Sequence, residues 1–353
     1  MHLTPNLNLT YTFWAEEEMP REYRERSLIE FQKAFADEAA CAEHLAKQRW
    51  PDGFVCSKCG TTDAWYLSNR RLFDCKSCRF QSSVTAGTIF HGTRTPLVKW
   101  YWLLYHMAMD KVGVSVCEMQ RLLEIKQYRT AWLMAHKVRK AMADRDARYS
   151  LAGLIEMDDS FFGPRGKKRG RGSERKSTVL CAVSLYRDRN GEERPGFAHM
   201  QVVDDASAKA IEGFLERLDC GAATEEGQQL LKAIRSDGWR SYGRVAADRR
   251  LAHYKVVLRD PKAAGRLLPW VHRVISNAKA VIRGSHRGVS EKHLQSYLSE
   301  ICYRFNRRFW EKELFDRLVQ ACVSTETITY NDLVRPGRIR KYSINPEISR
   351  LVL

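Results

Sequence analysis

The sequence predicts an α/β protein, a mixed sheet with helices packed on it, preceded by a zinc ribbon and a helix-turn-helix-like region. Three observations lead there. Two C-x-x-C pairs lie between residues 56 and 78. Helical periodicity runs through residues 97 to 142. From residue 151 the pattern turns to β-rich runs interleaved with amphipathic helices, and aspartates stand at two strand ends.

The 353 residues suffice for two or three cored domains, and a hydrophobic fraction of 44% excludes wholesale disorder. The formal net charge of +17 calls for a polyanionic partner, nucleic acid first and an acidic membrane surface second. No apolar run reaches the roughly eighteen residues of a membrane span. The longest, Trp100 to Met109, reads as a buried helix. Glu16, Glu17 and Glu18 stand where a secretory signal needs basic charge and an apolar stretch. The expected location is therefore the cytosol. There the ten cysteines read as thiols, metal ligands or core residues.

Cys56-Ser-Lys-Cys59 and Cys75-Lys-Ser-Cys78 are separated by fifteen residues. A two-residue gap lets both thiolates of a knuckle reach one ion, and two knuckles complete the tetrahedral sulfur shell of zinc. A redox C-x-x-C needs one pair, not two. Four thiolates leave no open position, so the zinc is expected to be structural. Short strands are expected at Trp65–Leu67 and Arg71–Phe73. Lys58, Arg70, Arg71, Lys76 and Arg79 crowd the ribbon, as a DNA-contacting or a merely solvated surface. Cys41, Cys117, Cys181, Cys220, Cys302 and Cys322 have apolar neighbours and read as core.

Ser115-Val-Cys-Glu118 has the form of a capping box after Gly113, with Val116, Met119, Leu122 and Leu123 on one face. A break at 126–128 precedes a second helix with Trp132, Ala135, Val138 and Met142 at core spacing. Two short helices and a tight turn suit a helix-turn-helix, with Arg129, Thr130, Lys137, Arg139 and Lys140 facing outward toward DNA.

In the remainder, Leu154–Met157, Val179–Leu185, Phe197–Val203 and Leu230–Ile234 read as strands, with Asn190-Gly191 as a hairpin turn. Ser207 caps a helix bearing Ile211, Phe214, Leu215 and Leu218, and a basic helix spans Trp270 to Ile282. The resulting order is β-β-β-α-β-α. Asp158 and Asp237 fall at strand ends, where two remote carboxylates can share divalent ions such as magnesium or manganese. Aspartates in such places are also common turn formers, so the pair alone selects no chemistry.

Longer strings are more specific. Gly153-Leu-Ile-Glu-Met-Asp158-Asp-Ser-Phe-Phe-Gly163, Ser236-Asp237-Gly-Trp-Arg-Ser-Tyr242 and Val271-His-Arg-Val-Ile-Ser-Asn277-Ala-Lys279 resemble the ISXO-like group of insertion-sequence transposases. So do Gly288 to Tyr297, Tyr303 to Phe309, Arg49 to Cys56 and Thr85 to His91, and together they cover roughly residues 28 to 310. The resemblance implies a ribonuclease-H-like catalytic core and DDE-type chemistry. Water exposes a 3′-hydroxyl at the transposon end, and that hydroxyl then attacks target DNA. Asp158 and Asp237 match the first two acidic positions and Asn277 the third. An amide brings no charge, so that metal site is expected to be weaker. Glu156 shares the face of Asp158 on a regular strand, as a source of the missing charge or as a partner for a nearby Arg.

The glycine-rich stretch Arg165 to Lys176, with Lys167, Lys168, Arg169 and Arg171, and the basic residues Lys279 and Arg283 are expected to hold DNA phosphates. His253 and His272 are candidates for approaching the site, although a lone histidine is commonly a satisfied structural residue. Trp239 and Tyr242 read as a stacking surface for an unpaired base or as core. The expected organisation is an N-terminal extension (1–27), helix plus zinc ribbon (28–92), helical DNA-binding region (93–148), catalytic domain (149–310), and C-terminal helix with basic tail (311–353). The expected partners are transposon terminal inverted repeats, target DNA and a second copy of the chain, with no membrane. The competing expectations are a non-catalytic zinc-ribbon DNA-binding protein derived from a transposase, and a metal nuclease of the same fold.

Overall fold

The computed structural model describes residues 27–163, 176–219, 230–256, 267–310 and 313–335. The expected basic loop residues Lys167, Lys168, Arg169 and Arg171, along with Cys220, Glu16 to Glu18 and the tail beyond 335, lie outside the described residues.

The front end opens with α1 (Leu28–Ala34) and α2 (Glu38–Arg49). Each has a side-chain cap, from Ser27 with Glu30 in a capping box and from Asp37. The ribbon follows as an antiparallel three-stranded sheet, β1 (Ala64–Leu67), β2 (Leu72–Cys75) and β3 (Gln81–Ser83), the last a strand that the sequence did not suggest. Helices α3 (Leu97–Met109), α4 (Val116–Leu122) and α5 (Tyr128–Asp146) complete the front end.

The helical pair differs from expectation in four ways, the first being that Cys117, read as core, is exposed. Ser115 begins α4 without a side-chain cap bond, so the expected capping box does not form. Val116, Met119 and Leu123 are buried but Leu122 is 58% exposed, because α4 ends there and its stripe is one turn long. Lys137 and Arg139 are buried and not presented to DNA. Lys137 donates from Nζ to the Ile89 carbonyl at 3.0 Å, and Arg139 Nε donates to Glu300 Oε2 at 2.7 Å. Their charges point inward because α5 is enclosed by neighbours on most of its circumference, a tertiary fact invisible to local periodicity.

The second layer is a five-stranded sheet of β4 (Gly153–Phe162), β5 (Ser177–Arg187), β6 (Glu193–Val203), β7 (Leu231–Ser236) and β8 (Ala252–Lys255). Its spatial order is β6-β5-β4-β7-β8. The first three strands form an antiparallel meander, and β7 and β8 run parallel to β4 on its other side. This is a ribonuclease-H-like arrangement. The hairpin at Asn190-Gly191 is present, with Gly191 at φ 78° and its N–H donating to the Asp188 carbonyl. Helices α6 (Ala208–Asp219) and α7 (Arg240–Asp248) cover one face through Phe214, Leu215, Tyr242 and Val245. On the opposite face, α8 (Pro269–Gly284) and α9 (Glu291–Asn306) pack through Val271, Val274, Leu294 and Leu298.

Strand alternation sorts β4 between these layers. Ile155 and Met157 join the α6–α7 side, and Glu156 bonds to α8 on the other. Both β4 and its role are longer than the sequence suggested. The strand continues past Met157 to Phe162, so Asp158 lies within it, paired with Cys181 of β5. α7 and β8 were not foreseen.

Two buried ion pairs tie the layers together: Arg139–Glu300 at 2.7 Å and Arg307–Asp146 at 2.6 Å. Helix α10 (Leu314–Val323) returns to the front end. There its Leu314, Phe315, Leu318 and Cys322 share one core with Phe31, Leu45, Tyr101 and Val138, and α11 (Tyr330–Val334) follows. Among the described residues no helix is long and apolar enough to cross a membrane.

Candidate functional site

The first site is the sulfur cluster. Cys56 Sγ lies 3.6 Å from Cys78 Sγ and Cys59 Sγ 3.5 Å from Cys75 Sγ, and all four sulfurs fall within 4.8 Å of one another. Disulfides need about 2.05 Å, so these are thiols. A tetrahedral ion with bonds of about 2.3 Å sets its sulfurs roughly 3.8 Å apart, close to what is seen. Both knuckles have the same backbone. Gly60 N–H donates to the Cys56 carbonyl at 2.8 Å and Arg79 N–H to the Cys75 carbonyl at 2.9 Å. Both turns need a left-handed residue, and the second uses Arg79 at φ 56° where the first uses Gly60 at φ 73°. Trp50, Phe54 and Phe73 pack beneath the cluster. Of the ribbon's basic residues, Arg71 is held by Glu38 at 3.1 Å, Arg79 stands 5.0 Å above the Trp65 ring and Lys76 5.7 Å from it. The donor set fits one structural Zn2+.

The second site gathers where β4, β7 and α8 meet. In the parallel pairing of β4 with β7, Met157 stands opposite Ser236. Asp158, still within β4, and Asp237, the first residue after β7, follow that pair, so one register brings together two aspartates remote in sequence. Asp237 begins a turn in which its Oδ1 accepts the Trp239 N–H at 3.0 Å and Gly238 adopts φ +85°. Any side chain at Gly238 would collide with Lys255, whose Cε would lie 2.5 Å from the new Cβ. Behind the turn Ser236 is fully buried and His253 Nε2 meets its Oγ at 2.9 Å, so His253 braces β7 against β8. Tyr242 is fully buried in the α6–α7 core, which removes it as a stacking surface. Trp239 remains 41% exposed, with its Nε1 donating to the Ala206 carbonyl.

Helix α8 lies along β4, and the two match residue by residue. Trp270 and Val271 N–H groups both donate to Glu156 Oε2 at 2.9 Å. His272 Nε2 is 3.4 Å from Asp158 Oδ2. Lys279 Nζ donates to Ser160 Oγ at 2.6 Å and stands 5.4 Å from the Phe162 ring centre. Glu156, Asp158, Ser160 and Phe162 are the alternate residues of one strand face. His272, Lys279 and Arg283 recur at i, i+7 and i+11 on one helix stripe. Asn277, five residues from His272, is turned about 140° from that stripe, and it is exposed. Sequence reasoning passed over Ser160, and simple alternation from Glu156 would have found it.

The electrostatics follow from this crowding. Burial lowers the His272 pKa, opposed by Asp237 and reinforced by Lys279. Burial also lowers that of Lys279, helped by Arg283 and Lys176 and opposed by Asp158. Lys176 and Arg283 act on Lys279, which in turn feels Asp158, so positive charge gathers on this side of the site. Glu156 does not add charge for a metal. It is fully buried, Oε2 takes the two α8 N–H groups and Oε1 faces Arg235 at 3.5 Å. Arg235 is itself held by Glu193 in two bonds of 2.8 Å. Among the described residues only the four cysteines group three or more His, Cys, Asp or Glu ligand atoms within 4.8 Å. The carboxylate pair offers the hard oxygen donors that suit magnesium or manganese.

Comparison with known proteins agrees with this division. Residues 150–306 match the ISXO2-like transposase domain, and residues 36–81 match the transposase zinc-ribbon domain. An uncharacterized protein in the transposable element ISH50 of Halobacterium salinarum is 26% identical over 282 residues, covering 75% of this chain and 90% of that protein. A crystal structure of a pre-cleavage Mos1 transpososome is similar over 68% of this chain and 82% of that one, at 11% identity and a TM-score of 0.28. Taken in order, the chain carries a match to the transposase zinc-ribbon domain followed by a match to the ISXO2-like transposase domain.

Proposed function

We propose that this protein is a metal-dependent DNA transposase that cuts at the terminal inverted repeats of its element and joins the freed end to target DNA. The observation that carries the reading is that Asp158 and Asp237 each directly follow the paired residues Met157 and Ser236 of adjoining parallel strands, with a cationic helix laid against them. Two divalent ions, when bound, activate an attacking oxygen and stabilise a leaving one. Asp158 and Asp237 hold them. The third donor comes from α8, where the family resemblance nominates Asn277 and the helix phase nominates His272.

The remaining residues manage DNA. Lys279, Arg283 and Lys176 neutralise phosphates beside the carboxylates, together with Lys167, Lys168, Arg169 and Arg171 of the adjoining loop. Trp239 presents a ring beside Asp237 for an unpaired base at the cut end. In the first step a water oxygen bonds to phosphorus as the bond to the 3′ oxygen breaks, leaving a 3′-hydroxyl. In the second that hydroxyl loses its proton and bonds to a target phosphorus, releasing a target 3′-hydroxyl. Neither step needs a covalent link to the protein. A pair of ends must be held for joining, so at least two copies act together on DNA in the cytoplasm.

The test is strand transfer with labelled element-end DNA, a plasmid target and Mg2+ or Mn2+, comparing wild type with Asp158→Ala and Asp237→Ala. Joined product lost with either change supports the reading. Cutting without joining indicates a nuclease. Binding with neither indicates a non-catalytic DNA-binding protein.

A further inference from the structure

We infer that Glu156 is a positioning residue, a single buried carboxylate that sets the relative phase of the three chain segments meeting at the carboxylate pair. The inference rests on the transposase reading above. Glu156 of β4 stands opposite Arg235 of β7, and each precedes a candidate aspartate by two residues. The α8 N–H groups it accepts belong to Trp270 and Val271, directly ahead of His272. One side chain thus touches all three segments just upstream of what each contributes.

α8 begins at Pro269 after Leu268, whose apolar side chain forms no cap. The opening amides of a helix have no partner within it, and left buried without one they are costly. Glu156 satisfies two of them and puts negative charge at the positive end of the helix dipole. The Glu156 side chain is itself fully enclosed. Its Oε1 is oriented by Arg235, which Glu193 fixes through both its terminal nitrogens.

The consequence lies in rotation. α8 carries two different faces, one with His272, Lys279 and Arg283 and another with Asn277. Two N–H bonds in the first turn add to the packing of Val271, Val274 and Ala278 in fixing the rotation of α8, so Glu156 helps present His272 and Lys279 to Asp158 and Ser160. It does so without touching DNA, and its oxygens are already engaged by the chain.

The test uses the full chain with Glu156→Ala and Glu156→Gln. Amide hydrogen exchange over residues 268–275 and a Mn2+ titration of strand transfer are measured for each. With Glu156→Ala, exchange accelerates in the first turn of α8 while β4 and β5 stay protected. The Mn2+ midpoint rises about ten-fold or more, as for removal of a residue that orients a metal ligand. Glu156→Gln falls between, since its amide oxygen still accepts the N–H groups, and it keeps the test open should the alanine variant fail to fold. A Mn2+ midpoint equal to wild type, with activity lost only in proportion to unfolded protein, overturns the inference. Asp158→Ala run alongside tests the underlying reading separately. If that variant still joins strands, the carboxylate site is wrong whatever Glu156 does.

Discussion

His272 on α8 places its Nε2 3.4 Å from Oδ2 of Asp158 on β4. The contact puts His272 next to Asp158, while Asn277 is turned about 140° away on a regular helix. His272→Ala is therefore expected to lower strand transfer by about ten-fold or more, the loss typical when a partner of a metal ligand is removed. Asn277→Ala is expected to stay near wild type. Single-turnover joining assays at saturating Mn2+ rank the two, and the reverse ranking would assign the third position to Asn277.

The zinc ribbon has a small core of its own that touches the helical core through Trp50 and Phe73. Phe54, Trp50 and Phe73 lie around the sulfurs, while the front-end helices and α10 share a larger core. One Zn2+ per chain is expected by elemental analysis. Cys75→Ser, which removes a fully buried ligand, should release the metal and the order of β1 to β3 while the helical and sheet cores persist. Far-UV circular dichroism that collapses entirely on chelation would show instead that the ribbon holds the whole fold.

The front end and the sheet are joined through charge that has left water. Arg139 and Glu300 are 1% and 2% exposed, and Arg139 also stacks 4.0 Å over the Tyr297 ring. Removing one partner strands the other, so Glu300→Ala is expected to cost about 3–5 kcal/mol. Replacing both by apolar residues should cost much less. Urea unfolding of the two singles and the double measures this, and strictly additive losses would mean that the pair is not coupled.

Much of this was legible in the sequence, and the reasons for the exceptions are physical. The cysteine spacing was enough for the ribbon because two short gaps can serve only one ion. Ile211, Phe214, Leu215 and Leu218 all proved buried, since an amphipathic helix on a sheet obeys local periodicity. β8 escaped because it is a four-residue edge strand, mostly exposed, with no apolar alternation. α7 escaped because Gly243 and several polar residues dilute its stripe. Lys137 and Arg139 looked like solvated cations because only tertiary contacts reveal that Ile89 and Glu300 receive them. Glu156 needed the same information: its purpose depends on a helix more than one hundred residues away.

The last prediction concerns acid. His136 is 1% exposed on α5, and neither ring nitrogen has a hydrogen-bond partner. It lies between Trp132, with ring centres 4.1 Å apart, and His293 and Tyr297 of α9 at 5.3 and 5.6 Å. Burial lowers its pKa from 6.5 to about 2, with Arg139, His293 and His286 adding to the effect. A depressed folded-state value means that the fold favours neutral imidazole. Its contribution is complete above the unfolded value of 6.5 and is lost progressively as pH falls below it toward 2. His136→Phe keeps a ring between Trp132 and Tyr297 but cannot take up a proton. The fall in unfolding free energy between pH 8 and pH about 4.5, below the ordinary histidine range, should therefore be smaller in this variant. His286 and His199, both lowered to about 4, keep some of the slope in either protein. Equal slopes in denaturant titrations of the two proteins would mean that His136 is solvated or paired in solution, and that the contact between α5 and α9 is looser than its packing indicates.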